Sequence, residues 1–177
     1  MGGILTFGTT ARHNEILSAF IVNIYDFIKN KKMRAFQEQC SLVYWGERNI
    51  IQDVKLVNID ELNNKEEFIE YIIDNLRFVQ PDFIMFDKNQ YLTNKVETKF
   101  AGLPDLIVEV WSKFNTPEEK EFKFGLYSKS GIEHWHINQN SNIVDCWIGN
   151  RQLTSQSLTD VLKTQNQVKF DIRHLSF

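Results

Sequence analysis

The chain has 177 residues, of which 42% are hydrophobic and 13% aromatic, 14 of them Phe. That is enough apolar surface for one buried core, so a single domain over residues 1–177 is expected and global disorder is excluded. Twenty Lys and Arg against 23 Asp and Glu give a net charge of −3, which disfavours coating of nucleic acid or anionic lipid through bulk charge but leaves a local basic patch open.

The start, Met1 to Thr10, lacks the basic residues and long apolar stretch of a secretory leader. No apolar run approaches the roughly 20 residues of a membrane-spanning helix. Cys40 and Cys146 are too few for a disulfide scaffold and fit a reducing compartment. A cytoplasmic protein without a membrane segment is expected.

Thr10 can cap a helix whose apolar positions Ile16, Leu17, Phe20, Ile21, Ile24, Phe27 and Ile28 recur every three or four residues. Lys29, Lys31, Lys32 and Arg34 suit its C-terminus, where the last carbonyls carry partial negative charge. Cys40–Trp45 and Ile50–Ile59 read as a hairpin around Gly46 and Asn49, and Glu66–Leu76 as a short helix. Phe78–Phe86 reads as one strand apolar on both faces, as an interior strand is, and Asp87–Ala101 as an irregular polar loop.

Leu106–Trp111 is again apolar on both faces, apart from Glu109 in its middle. Thr116-Pro117-Glu118-Glu119 combines an N-cap, a proline in the first turn and an acid three residues after the cap, so a helix starts there; it stops at Gly131. Ile132–Ile137 and Ile143–Ile148 form a second hairpin, and the polar tail from Arg151 is less legible.

The sequence has no phosphate-binding glycine loop, no dinucleotide fingerprint and no Gly-x-Ser-x-Gly elbow. His134 and His136 alternate on one strand, and a zinc shared with Cys146 is a weak possibility. Glu109 is the stronger signal, because an ionised carboxylate among Leu106, Ile107, Val108, Val110 and Trp111 costs several kcal/mol unless a cation or donors compensate. Asp82, after Pro81 on the other apolar run, poses the same problem. If the two strands are neighbours, both acids can converge on a hard cation such as magnesium; separately, they read as an edge residue and a structural ion pair. Lys123 lies four residues after Glu119 and four before Tyr127 on one helical face, and Lys113 is its competitor as a nearby cation.

Val79-Gln80-Pro81-Asp82, Leu103-Pro104-Asp105-Leu106-Ile107-Val108-Glu109-Val110-Trp111-Ser112, Lys123-x-x-x-Tyr127 and Gly131-Ile132-Glu133-His134-Trp135 together resemble the Uma family, bacterial proteins described as putative restriction endonucleases. The likeness covers residues 79–137, with weaker agreement at Arg12-His13-Asn14-Glu15. It implies the PD-(D/E)XK fold, an α/β restriction-endonuclease-like architecture with a mixed β-sheet core flanked by helices. It also implies a metal-dependent endonuclease acting on phosphodiester bonds of nucleic acid, DNA in first place, and a homodimer.

By that resemblance Asp82 and Glu109, with the backbone carbonyl of Val110, would hold Mg2+, or Mn2+ as a substitute. Trp111 stands where the fold's usual lysine would be, so the catalytic cation moves to Lys123. Glu15 matches an additional acid on the first helix, while His13 beside it reads as packing. The chain departs from the family pattern at His134, usually tyrosine, in a Gly131–Trp135 segment one residue shorter, and in a 60–77 stretch that looks inserted. A catalytically silent dimeric binding or assembly module on the same fold is the rival reading, and the net charge of −3 leans toward it.

Overall fold

The side-chain hydroxyl of Thr10 accepts a 3.1 Å hydrogen bond from the backbone N–H of His13, and the helix it caps, α1, runs Ala11–Lys29. The computed structural model describes residues 10–30, 33–37, 40–46, 48, 51–62, 64, 77–96 and 99–173. The helix expected over Glu66–Leu76 lies outside them, as do Lys31 and Lys32.

Among the described residues, eight helices and strands follow before the strand that carries Glu109. They are β1 (Met33–Gln37), β2 (Ser41–Trp45), β3 (Lys55–Leu56), β4 (Phe78–Val79), β5 (Phe83–Asp87), α2 (Lys88–Asn94), β6 (Lys95–Val96) and β7 (Lys99–Phe100). Then come β8 (Leu106–Trp111), α3 (Pro117–Lys129), β9 (Glu133–Asn138), β10 (Ile143–Ile148), β11 (Arg151–Ser157), β12 (Val161–Lys163) and β13 (Lys169–Asp171).

A six-stranded mixed sheet in the order β1-β5-β8-β9-β10-β11 is the centre of the molecule. Its one parallel pair is β8–β9, which α3 connects, since parallel neighbours need a crossover long enough to return the chain to the starting end. α3 therefore lies against the sheet beside the two strands it joins. Its N-cap is Thr116, whose hydroxyl accepts from Glu119 N–H at 3.2 Å, and past its C-terminus Gly131 takes φ +70°, a left-handed conformation glycine adopts without penalty.

Alternation along the strands divides the core in two. Phe83, Met85, Leu106, Val108, Val110, Trp135 and Ile137 face α1, where Ile16, Leu17, Phe20 and Ile24 are fully buried against them. Phe20 is the hub of this layer, with ring centroids 4.7 Å from Phe170, 5.4 Å from Phe83 and 6.1 Å from Trp135. On the other face Ile84, Phe86 and Ile107 pack against Phe122, Leu126 and Tyr127 of α3 and against a second sheet, β3-β2-β7-β6 with β4 beside β2.

Four expectations change. Phe78–Phe86 is two strands, β4 in the second sheet and β5 in the first, because Pro81 has no N–H to give a ladder and breaks the run. The described residues of 87–101 form regular elements where a loop was expected: Asp87 Oδ1 accepts from the N–H groups of Asn89 (2.8 Å) and Gln90 (3.4 Å), capping α2, and β6 and β7 pair after it. Arg34 belongs to β1, antiparallel to β5, and not to the end of the first helix. In the first hairpin only Lys55–Leu56 pairs with β2, a 3-10 turn at Ile51–Asp53 occupying the start of the expected second strand.

Long-range side-chain ties among the described residues hold α1 and its cap. Thr10 Oγ1 donates to Gln139 Oε1 at 2.8 Å, and Arg12 Nη2 donates to Asn142 Oδ1 at 3.3 Å, both in the turn between β9 and β10. Near its other end Asn23 exchanges hydrogen bonds with the backbone of Asp171 in β13 (2.7 and 3.1 Å).

Candidate active site

β5 and β8 are antiparallel neighbours with Phe83 opposite Val108, and one step further along this register sets Asp82 against Glu109. Asp82 stands just after Pro81, where the chain passes from one sheet to the other, and its Oδ2 accepts from the Val110 backbone N–H at 2.7 Å. Glu109 points to the α3 side of the sheet and is 0% exposed.

From α3, Lys123 Nζ donates to Glu109 Oε2 at 2.8 Å and Tyr127 Oη donates to Glu109 Oε1 at 2.6 Å. The same ammonium donates to the Gln80 carbonyl at 3.3 Å and lies 3.8 Å from Glu119 Oε1. Helical spacing puts Glu119, Lys123 and Tyr127 on one face, so a single helix supplies a cation and a phenol to one buried carboxylate. Lys123 Nζ is also 5.6 Å from the centroid of the Trp111 ring, within cation–π range.

Burial pushes the Glu109 carboxyl up to about 8; the Lys123 ammonium pulls it down only in part, and the Asp82 charge pushes the same way as burial. Asp82 moves oppositely. Burial would raise it, but the hydrogen bond from His13, the Lys123 charge and the Val110 N–H together hold it below the ordinary carboxylate range. Lys123 loses by burial and gains more from Glu109 and Asp82, so its ammonium is held above its ordinary value. Burial and the neighbouring Glu109 charge keep the Tyr127 phenol protonated far beyond neutral pH.

His13, read from sequence as packing, is the α1 residue that reaches the acids: its Nε2 lies 3.3 Å from Asp82 Oδ2. The signal was the cap, since Thr10 fixes the helix start and thereby which way His13 projects. Glu15 instead occupies the exposed flank of α1, paired with Arg12 at 3.5 Å. Lys113 follows the end of β8 and is exposed, its Nζ 5.2 Å from the Phe114 ring centroid. The structure thus brings Asp82, Glu109, Val110 and Lys123 together and leaves Glu15 and Lys113 at the surface.

Cys146 lies on the α1 face of the sheet, opposite Trp135 in register, whereas His134 and His136 face α3. The three cannot share a zinc ion, because the sheet stands between them. The two histidines instead build a hydrogen-bonded chain. His134 Nε2 lies 2.9 Å from the Gly149 carbonyl, which only accepts, so this nitrogen carries the proton. In the neutral ring Nδ1 is then an acceptor, and His136 Nε2, 2.7 Å away, is its donor. His136 Nδ1 is left to accept from the Trp111 indole N–H at 3.0 Å. Burial depresses both imidazoles, His134 to about 4 and His136 to about 3, so both are neutral at pH 7. The Trp111 indole is therefore fixed through two rings to a backbone carbonyl.

Among the described residues no group of three or more His, Cys, Asp or Glu is arranged to hold a metal ion. The donor chemistry around Asp82 and Glu109 nevertheless fits a small hard cation. Two carboxylates face one another closely enough for the charge of one to raise the other, and each Glu109 oxygen keeps a lone pair beyond its bond to Lys123 or Tyr127.

A family model, Uma2, described as "Putative restriction endonuclease", matches residues 3–172. Among solved structures, the chain is similar to a "putative nuclease belonging to DUF820" from Anabaena variabilis ATCC 29413, with a TM-score of 0.60 and 14% identity, over 90% of this chain and 75% of that one. That similarity shows the restriction-endonuclease-like fold. No curated protein matches the chain.

Proposed function

The chain belongs to the Uma2 putative restriction endonuclease family, and from that premise we propose that it is a metal-dependent nuclease that hydrolyses phosphodiester bonds of nucleic acid, DNA in first place. The observation that carries this reading is the 2.8 Å contact of Lys123 with Glu109, because it returns a cation to the acid pair where Trp111 has displaced one. Asp82, Glu109 and the Val110 carbonyl would hold Mg2+ or Mn2+. Such a cation polarises the scissile phosphate and makes a bound water more acidic.

The protein's own groups do the rest. His13 and the Val110 N–H keep Asp82 ionised and oriented. Tyr127 fixes one oxygen of Glu109 and Lys123 the other. The Lys123 ammonium donates to Glu109 and Gln80 and lies 3.8 Å from Glu119; a phosphate oxygen or the attacking water would take its third N–H in competition with Glu119. Glu15 is assigned no step.

The second reading is a catalytically silent binding module, and it is supported by Glu109 being 0% exposed with both oxygens bonded within the protein. Calorimetry with magnesium and manganese, followed by incubation with supercoiled and single-stranded DNA, separates the two. Metal binding with cleavage supports the nuclease; neither one, in a folded protein, supports the module. Both readings carry a twofold homodimer, which in the nuclease lets two copies address two strands. Sedimentation at high micromolar concentration tests it, and a monomer would count against it.

No helix among the described residues is long and apolar enough to cross a membrane.

A further inference from the structure

Beside the acid pair, on the same face of the sheet, a cleft of about 390 Å³ opens between the end of β8, the outer side of α3 and β10. Trp111, Phe124 and Trp147 wall it together with the His136 imidazole, and Lys120, Glu121, Asn138 and Asp145 stand at its margin. Phe124 stands edge-on to Trp147 at 5.0 Å between centroids, and Lys120 Nζ lies 5.9 Å from the Trp111 centroid. No step of the proposed hydrolysis uses this cleft.

Two features show that the walls are built rather than incidental. Trp111 is held by the chain through His136 and His134 to Gly149, and His136 also stacks on the indole at 5.5 Å and 17°. On the opposite wall, β10 and β11 slip register between Cys146 and Trp147, so that Cys146 pairs with Thr154 but Trp147 with Gln152. Such an irregularity changes how neighbouring side chains project, and it recurs in sheets next to functional sites.

We propose that this cleft takes one unstacked nucleobase of a nucleic-acid strand whose phosphate lies at Lys123. The inference rests on the nuclease reading and deepens it, by making the substrate a strand with at least one base out of its stack. Planar aromatic walls suit a base, because every base has a π-face. The margin suits it too: the Asn138 amide and the Asp145 carboxylate can meet amino and carbonyl groups on a base edge, and Lys120 supplies a charge for backbone phosphate. Cleft and acid pair share the Trp111 wall, with Lys123 Nζ 5.6 Å from that ring, so the base and its phosphate can belong to neighbouring positions of one strand. A fully stacked duplex offers no such base unless one is extruded.

The test is fluorescence anisotropy in EDTA, with the native chain and a labelled short single strand, the same sequence as a paired duplex, and the same strand with abasic spacers. DNA and RNA versions form separate arms. The single strand should bind more tightly than the duplex, and the abasic strand should lose about 5- to 150-fold in affinity, the range of one lost base–aromatic stack. Trp147→Ala should lose a similar factor and Trp147→Phe should retain most of the affinity. Equal binding of single strand and duplex, equal binding of the abasic strand, or no binding of any strand overturns the proposal. Should Trp147→Ala fail to fold, the abasic comparison on the native protein decides. Cleavage measured in parallel keeps the two readings apart. Cleavage with an unchanged KM in a folded Trp147→Ala overturns the cleft and leaves the nuclease. Trp147-dependent binding without cleavage in magnesium or manganese leaves the cleft and overturns the nuclease.

Discussion

Lys123 and Glu109 stand fourteen positions apart on different elements, yet their charged atoms are 2.8 Å apart in a buried site. The pair couples α3 to the middle of β8, and the following expectations test what it does.

Lys123→Met should abolish metal-dependent cleavage while leaving metal binding measurable. It also removes one hydrogen bond to a buried carboxylate, which costs about 1–3 kcal/mol at pH 7 by urea denaturation. The cost should grow above pH 8, where the Glu109 carboxyl ionises and Lys123 is its cation. Lys113→Met, at an exposed position, should alter neither cleavage nor the urea midpoint. Cleavage that survives in Lys123→Met and vanishes in Lys113→Met reverses the assignment.

Asp82→Asn and Glu109→Gln should each weaken magnesium or manganese binding in calorimetry while leaving the circular dichroism spectrum unchanged. Loss of a metal's supporting partners costs about 10–100-fold, and loss of a ligand should cost at least as much. Unaltered affinity in both variants removes the site.

Stability should depend on pH with a definite sign. Glu109 has a folded pKa of about 8 against an ordinary 4.5. Between those values the folded state keeps a proton that the unfolded chain has lost, so the Glu109 contribution to stability falls as pH rises from 4.5 to 8. Asp82 is shifted down, so its contribution is lost as pH falls. Urea midpoints of Glu109→Gln at pH 5 and pH 8 should differ less than those of the native chain. An unchanged difference would show that Glu109 titrates alike in both states.

In 15N-resolved NMR, His134 and His136 should both appear as the neutral Nε2–H form at pH 7. His136→Phe strands the buried His134 Nδ1, at a cost of about 1–3 kcal/mol, and frees the half-buried Trp111 N–H to water. It should also shift the Trp111 indole resonance. An Nδ1–H form for either ring, or an indole signal that does not move, contradicts the chain.

Elements carried by local signals were legible in the sequence. Thr10 and Thr116 announced α1 and α3, and the unbroken apolar run marked β8. β1 was not legible, because all five of its residues are half-buried and show no alternation; it is a strand only because β5 offers it a partner. α2 had its signal in Asp87, but the polar residues after it masked the cap. At the site, the two acids stood out as charges misplaced among apolar neighbours, and Lys123 by its spacing to Glu119 and Tyr127 on one helical face and by the family resemblance. The reach of His13 to Asp82 and the ordered protons of His134 and His136 depend on which helix and strand lie next to which, and that is set by the sheet order.

The 2.8 Å bond from Thr10 to Gln139 ties the beginning of α1 to the tip of the β9–β10 hairpin, and Arg12 repeats the tie at Asn142. The hairpin tip thereby acts as a gauge for the helix. His13 is only three residues from Thr10, so any change in turn length between Asn138 and Ile143 must slide or tilt the first turn of α1 and carry the imidazole away from Asp82. A surface loop of five residues, 139–142 with its flanking Asn138, thus sets the spacing within a buried acid site on the far side of the strand.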